Sequence, residues 1–270
     1  MIERFRQFPA ALASAVRSEK FGEVPALLAH PDWRTPAPTM IWMHGRTVNK
    51  ELDPGRYLRW LRAGIATCAL DLPGHGERFI AEYQTGAKTP EMIAQMAGEI
   101  DGVVRALGAM GVFDMRSLGI GGMSAGGMVT LRRLCEPHGF RCAAVECTTG
   151  NLGALYFPEK HGLGEHTWKD THTPAQVAAV DPMEHLSGFA PMPILILHGE
   201  LDALVPWETQ RRFVEAMKVQ YVARGASESL IEVRTFGRTG APQEHAGFGV
   251  LANEAKNTQL EFLTRRLMSA

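Results

Sequence analysis

Two rhythms of apolar and polar positions alternate along this chain, and the switches between them mark out its elements. Near-continuous apolar runs occupy 24–30, 39–43, 65–70 and 193–199, the pattern of strands buried on both faces. Shorter runs at 143–147 and 230–236 read the same way, and 115–118 leads as a strand into a glycine-rich turn. Between the strands, apolar residues recur at helical spacing over 89–110, 206–223 and 250–267. Asp53-Pro54-Gly55 opens another helix, with an aspartate cap and a proline in the first turn, and Gly64 closes it. The long helix 89–110 is weakened by Gly98, Gly102 and Gly108. Phe5, Phe8, Leu12 and Val16 also fall at helical spacing, so 1–20 is expected to be a surface helix.

Strands alternating with helices predict an α/β fold: a mostly parallel sheet with helices on both faces. The chain shows no internal repeat. The one long stretch without a clear period, 148–190, lies between two strands and reads as a lid-like insertion over the sheet edge within a single domain spanning 1–270. The formal net charge of −1 gives no reason to expect a nucleic acid partner or an anionic membrane. No apolar run approaches the roughly 18 residues that span a bilayer, and the first 20 residues lack the apolar core of a signal peptide. Cys68, Cys135, Cys142 and Cys147 sit in apolar stretches without metal-ligand spacing, which reads as free thiols in a reducing, cytoplasmic setting.

Polar residues gather where strands end: His44, Asp71, Ser124, Glu146, His198, Asp202 and, past the last strand, His245. In an open parallel sheet these ends form the ligand crevice. Gly122-Met123-Ser124-Ala125-Gly126 has the form of a nucleophile elbow, a serine on a tight turn from strand to helix. Asp202 is the preferred orienting acid, with Glu146 as its rival. His245 comes last in the order serine, aspartate, histidine that this elbow type requires; an imidazole can accept the serine proton and return it to a leaving group. A tetrahedral oxyanion needs backbone donors. Ala125 would supply one, and Arg46 or, failing that, Thr47 the other. His44 and His198 read as braces beneath the site.

These residues resemble the α/β-hydrolase superfamily over nearly the whole chain, from about Ala37 to Arg266. The resemblance is carried by His44-Gly45-Arg46-Thr47, Asp71-Leu72-Pro73-Gly74-His75-Gly76, the elbow, His198-Gly199-Glu200-Leu201-Asp202 and His245. It is similar to small bacterial carboxylesterases grouped with dienelactone hydrolases and prolyl-oligopeptidase-type catalytic domains. The resemblance implies a serine hydrolase that cleaves small or short-chain carboxylic esters through an acyl-serine. The single glycine of the oxyanion loop speaks against long-chain lipases, and the serine against dehalogenases and the cysteine-based dienelactone hydrolases.

The same triad would also serve an amidase, peptidase, thioesterase or acyltransferase. Peptidases of this type carry a large additional domain, for which 270 residues have no room. A silent binding member of the fold is the reading from another class; retention of all three triad residues opposes it. No cofactor is expected. His161, His166 and His172 cluster with Glu159, Glu165 and Asp170, but their spacing does not put ligands on one helical face, so no metal is expected. Tyr156, Phe157 and Trp168 are candidates for an apolar wall of the substrate pocket or, equally, for exposed packing of the lid. The partner expected is a small ester; oligomeric state is not readable.

Overall fold

Eight strands form one sheet in the order β1-β2-β4-β3-β5-β6-β7-β8 in the computed structural model, which describes residues 8–164 and 172–268. The strands are β1 (Val16–Phe21), β2 (Val24–Ala29), β3 (Ala37–Met43), β4 (Ala66–Leu70), β5 (Phe113–Met123), β6 (Cys142–Glu146), β7 (Ile194–Gly199) and β8 (Ile231–Phe236). β2 runs antiparallel to β1 and β4; every other pairing is parallel, as the alternation of strands and helices predicts. Helices α1 (Ala10–Ala13), α2 (Pro54–Arg62) and α8 (Ala252–Leu267) cover one face. The other is covered by α3 (Thr89–Ala109), α4 (Ala125–Arg133), α5 (Leu152–Tyr156), α6 (Pro174–Ala178) and α7 (Trp207–Ala223).

Alternation along each buried strand divides the core in two. Ile41 and Met43 of β3 face the α3–α4–α7 layer, whereas Met40 and Trp42 face α2 and α8. Ile194 and Ile196 of β7 are split from Leu195 and Leu197 in the same way. Asp53 caps α2 by accepting the Arg56 N–H, and Pro54 occupies its first turn, as expected from the sequence.

The expected helix over 1–20 is corrected. Only Ala10–Ala13 is helical among its described residues, and Val16–Phe21 is an edge strand joined to β2 through Gly22-Glu23. Register with β2, Val16 against Ala29 and Phe21 against Val24, overrides the fourfold apolar spacing. Residues 1–7, with Phe5, lie outside the described residues. Among the described residues of the 148–190 stretch are the short helices α5 and α6, and a buried carboxylate anchors the start of α5. Asp181 accepts hydrogen bonds from the N–H groups of Leu152, Gly153 and Met183 at 2.9, 2.6 and 3.1 Å.

One buried ion pair ties α2 to the sheet. The Arg56 guanidinium donates to both oxygens of Glu146, at the end of β6, at 2.6 and 2.8 Å, while its centre lies 4.4 Å over the Trp42 ring. Gln259 of α8 and Asp53 complete the cluster. Arg56→Met strands a carboxylate that is 0% exposed and is expected to lower the unfolding free energy by about 3–5 kcal/mol. A further Glu146→Leu change should recover much of the loss. Urea denaturation of the single and double variants tests both expectations.

Candidate active site

β5 ends at Met123, and Ser124 turns the chain into α4 with φ 51° and ψ −117°. Non-glycine residues rarely adopt this conformation, which costs on the order of 1–3 kcal/mol unless its surroundings enforce it. Here they do. The Ser124 N–H donates to the Glu146 carbonyl at 2.8 Å, and its own carbonyl accepts from the Thr148 hydroxyl at 2.7 Å. The flanking glycines are required by close approach: a Cβ on Gly122 would lie 2.7 Å from the Met43 carbonyl oxygen, and one on Gly126 only 2.3 Å from it. The elbow is thus pressed against the end of β3, beside the loop that carries Gly45 and Arg46.

Ser124, His245 and Asp202, predicted from their order, meet in space. His245 Nε2 lies 2.9 Å from Ser124 Oγ, and Nδ1 lies 2.7 Å from Asp202 Oδ2. Asp202 Oδ1 accepts the N–H groups of Leu204 and Val205 at 2.9 and 2.8 Å, so the carboxylate is oriented by its own loop with Oδ2 turned to the imidazole. In this arrangement the ring carries its proton on Nδ1 and offers the Nε2 lone pair to the serine hydroxyl. His245 and Asp202 are 7% and 4% exposed; both are shielded from water, and His245 lines the cleft at Ser124.

The histidine loop is locked by a residue that sequence reading passed over. Glu244 accepts the N–H groups of Thr239 and Gly240 and the Thr239 hydroxyl, at 2.6–3.0 Å. These bonds, the side-chain one foremost, draw its carboxyl below the usual range. The Ala203 N–H donates to the Gln243 carbonyl at 3.0 Å, joining this loop to the one bearing Asp202. Thr148 was likewise missed. Neither belongs to a motif; each acts through a contact made only in the fold.

His44 and His198 brace the loops, as expected. His44 Nδ1–H donates to the Gly45 carbonyl at 2.6 Å, and Nε2 accepts the Leu72 N–H at 3.1 Å. This fixes the turn from which Arg46 follows. Burial holds the His44 ring down to about 4, against the opposing pull of the Gly45 carbonyl and Asp71. His198 Nε2–H donates to the Val205 carbonyl at 2.8 Å, steadying the Asp202 loop, and burial lowers its pKa as well.

Ala125 is the first residue of α4, so no carbonyl one turn back accepts its N–H. Ala125 and Arg46 both line a cleft of about 610 Å³ at Ser124, and Thr47 lines it too, with φ 67°. Apolar walls include Val48, Leu52, Met123 and Met128, and charges enter at Asp53, Arg56 and Lys256. The expectation that the insertion supplies a wall is corrected for Tyr156 and Phe157. Tyr156 is buried in the core layer, Phe157 packs against it, and the cleft is formed by other loops. Glu146 is also reassigned: it faces Arg56 and Gln259 and does not meet His245.

Of the clustered insertion residues, the His161 carbonyl accepts from Arg212, and His172 Nε2 donates to the Ala87 carbonyl at 2.9 Å. Glu165, His166, Trp168 and Asp170 lie outside the described residues. Among the described residues, no group of three or more His, Cys, Asp or Glu is placed to hold a metal ion, no helix is long and apolar enough to cross a membrane, and all four cysteines are free and buried.

Comparison with known proteins identifies the family and the fold. Residues 57–263 match the prolyl oligopeptidase family. Esterase YjfP of Escherichia coli (strain K12) is 24% identical over 214 residues, covering 75% of this chain and 84% of that protein. A puromycin-hydrolyzing peptidase of Mycobacterium tuberculosis superposes with a TM-score of 0.71 at 18% identity, over 96% of this chain. This chain spans 40% of that peptidase's length. Thermogutta terrifontis esterase 2, solved phosphonylated by sarin, gives a TM-score of 0.67 at 18% identity, covering 93% of this chain and 94% of that one. TT1662 from Thermus thermophilus gives 0.66 at 19%, covering 94% and 99%. The fold is therefore that of the α/β-hydrolases.

Depressed histidine basicity makes the fold acid-sensitive. A ring whose folded pKa lies below its unfolded value of about 6.5 favours the native state fully above pH 6.5, and that contribution is lost as pH falls towards 4. For His44 the loss is on the order of 3 kcal/mol, with His75 and His198 shifted in the same direction. Urea unfolding at pH 7.5 and pH 4.5 should show the decline; equal stabilities would contradict it.

Proposed function

Because this chain belongs to the prolyl oligopeptidase family of serine hydrolases, we propose that it cleaves small carboxylic esters through an acyl-serine, with Ser124, His245 and Asp202 as its catalytic triad. The observation that carries the reading is the continuous relay from Ser124 Oγ through the imidazole to Asp202, opening on a cleft of about 610 Å³. Similarity to esterase YjfP over most of both chains supports an ester substrate.

The chemistry follows from the bonds in place. Ser124 Oγ attacks the ester carbon as its proton passes to His245 Nε2. Asp202 stays ionised and stabilises the imidazolium through Nδ1–H. The carbonyl oxygen, now negative, is received by the Ala125 and Arg46 N–H groups, reinforced by the N-terminal end of α4. Nε2–H then protonates the departing alcohol oxygen as the carbon–oxygen bond breaks. Water repeats the sequence on the acyl-serine, releasing the acid and restoring the serine hydroxyl. No cofactor or metal enters the proposed cycle.

Ser124→Ala is expected to lower kcat by as much as about a million-fold without unfolding the protein. p-Nitrophenyl ester hydrolysis and fluorophosphonate labelling test this together. Residual turnover above a few per cent, or labelling of the alanine variant, sinks the assignment. Because only a neutral ring can take the serine proton, kcat/KM should rise with pH on the acid side and then level off; a flat profile from pH 5 to 9 contradicts the role of His245.

Asp202→Asn favours the wrong ring tautomer and is expected to cost roughly a thousand- to ten-thousand-fold in kcat, with KM little changed. Glu146→Gln should act mainly on stability, since its partner is Arg56. The reverse ranking would relocate the acid.

A further inference from the structure

We propose that the cleft selects esters bearing a carboxylate, and that Lys256 holds that group. The inference rests on the esterase reading and specifies its substrate class. The cleft crosses the sheet from the α3–α4 side, where Arg46 donates to the Thr89 hydroxyl at 3.2 Å, to the α2–α8 side, where Asp53 and Lys256 meet at 2.8 Å. Its lining presents three cations, Arg46, Arg56 and Lys256, against one carboxylate, Asp53.

Pairing within the wall decides which of these groups can receive a substrate. Asp53 already accepts the Arg56 N–H, the Arg56 Nε–H and the Lys256 ammonium, at 3.3, 3.0 and 2.8 Å. It offers little to a substrate cation. Arg56 is 4% exposed and spends its guanidinium on Asp53, Glu146 and Gln259. Lys256 differs: its ammonium has three donors, one directed at Asp53, and its side chain is 21% exposed at the cleft wall. Two donors therefore remain for an anion. Val48, Leu52 and Met123 line the same cleft, and a charge pair formed inside it is screened less than one on the open surface. A cationic ester placed against the Lys256 ammonium would meet a like charge, which disfavours it relative to an anionic one.

Two substrate pairs test the proposal. p-Nitrophenyl hydrogen adipate and p-nitrophenyl hexanoate differ by a terminal carboxylate in place of a methyl on the acyl chain. 3-Carboxyphenyl and 3-methylphenyl butyrate place the same difference on the leaving group. In at least one pair, kcat/KM for the anionic ester is expected to exceed that for its neutral partner by at least about fivefold, mainly through KM. The ratio should shrink as salt is raised and should fall to near one in Lys256→Met. Lys256→Gln, which retains a donor for Asp53, provides the same reading if the methionine variant folds poorly. Taking the ratio within each preparation removes losses common to both esters. A wild-type ratio below fivefold in both pairs overturns the proposal, as does a preference that survives both variants. Failure of all four esters to undergo Ser124-dependent hydrolysis strikes instead at the esterase reading beneath it.

Discussion

Everything around the site depends on one close approach, that of the elbow to the end of β3. Gly122 and Gly126 let the turn sit against the Met43 carbonyl, at distances no side chain could share. Between these two glycines Ser124 takes its positive-φ conformation, with Oγ meeting His245 Nε2. The cost is local and the compensation is not. β6 supplies the Glu146 carbonyl, the following residues supply the Thr148 hydroxyl, and α4 returns the Met128 N–H to the Ser124 carbonyl at 3.0 Å. A strained serine thus persists because three neighbouring segments satisfy its backbone at once.

The strand ends also concentrate charge that must be neutralised out of water. Lys50, fully buried, donates to Asp71 at 2.7 Å and to Glu77 at 2.6 Å, and the Lys50 N–H adds a bond to the same Asp71 carboxylate. Arg56 and Glu146 form a second such cluster at the end of β6. Such pairs contribute little net stability compared with apolar packing, but leaving either partner alone is costly. Their effect here is positional. Asp71 lies 3.7 Å from His44 Nε2, and Glu146 lends its carbonyl to Ser124, so both clusters terminate on the backbone that shapes the site.

How much the sequence disclosed depended on whether a feature is periodic, punctuated or purely spatial. The buried strands were legible because residues at 39–43 and 193–199 are apolar on both faces, and α2 because its aspartate, proline and glycine mark both ends. Ser124, Asp202 and His245 were legible by order, since each follows a strand. The opening segment misled because apolar residues spaced by four satisfy a helix and an edge strand equally, and only pairing with β2 decides between them. Glu146 looked like a rival acid because position along a strand says nothing of which helix lies across from it. Thr148 and Glu244 left no signal at all: a threonine bonding a carbonyl 24 residues away, and a glutamate rolling its own loop, are consequences of the fold and not of any local pattern.

The docking of α8 on α2 carries a consequence for the order of synthesis. Gln259 reaches the Arg56 cluster, Lys256 reaches Asp53, and Asn253 and Asn257 both meet Arg59, so two helices separated by most of the chain share one polar seam. Ser124 and His245 are themselves 121 residues apart. A growing chain can complete the sheet through β7 and still possess neither the imidazole nor one flank of the cleft. Under the proposed mechanism, Ser124 therefore emerges from the ribosome well before the histidine that would activate it, and the cleft gains its α8 flank last.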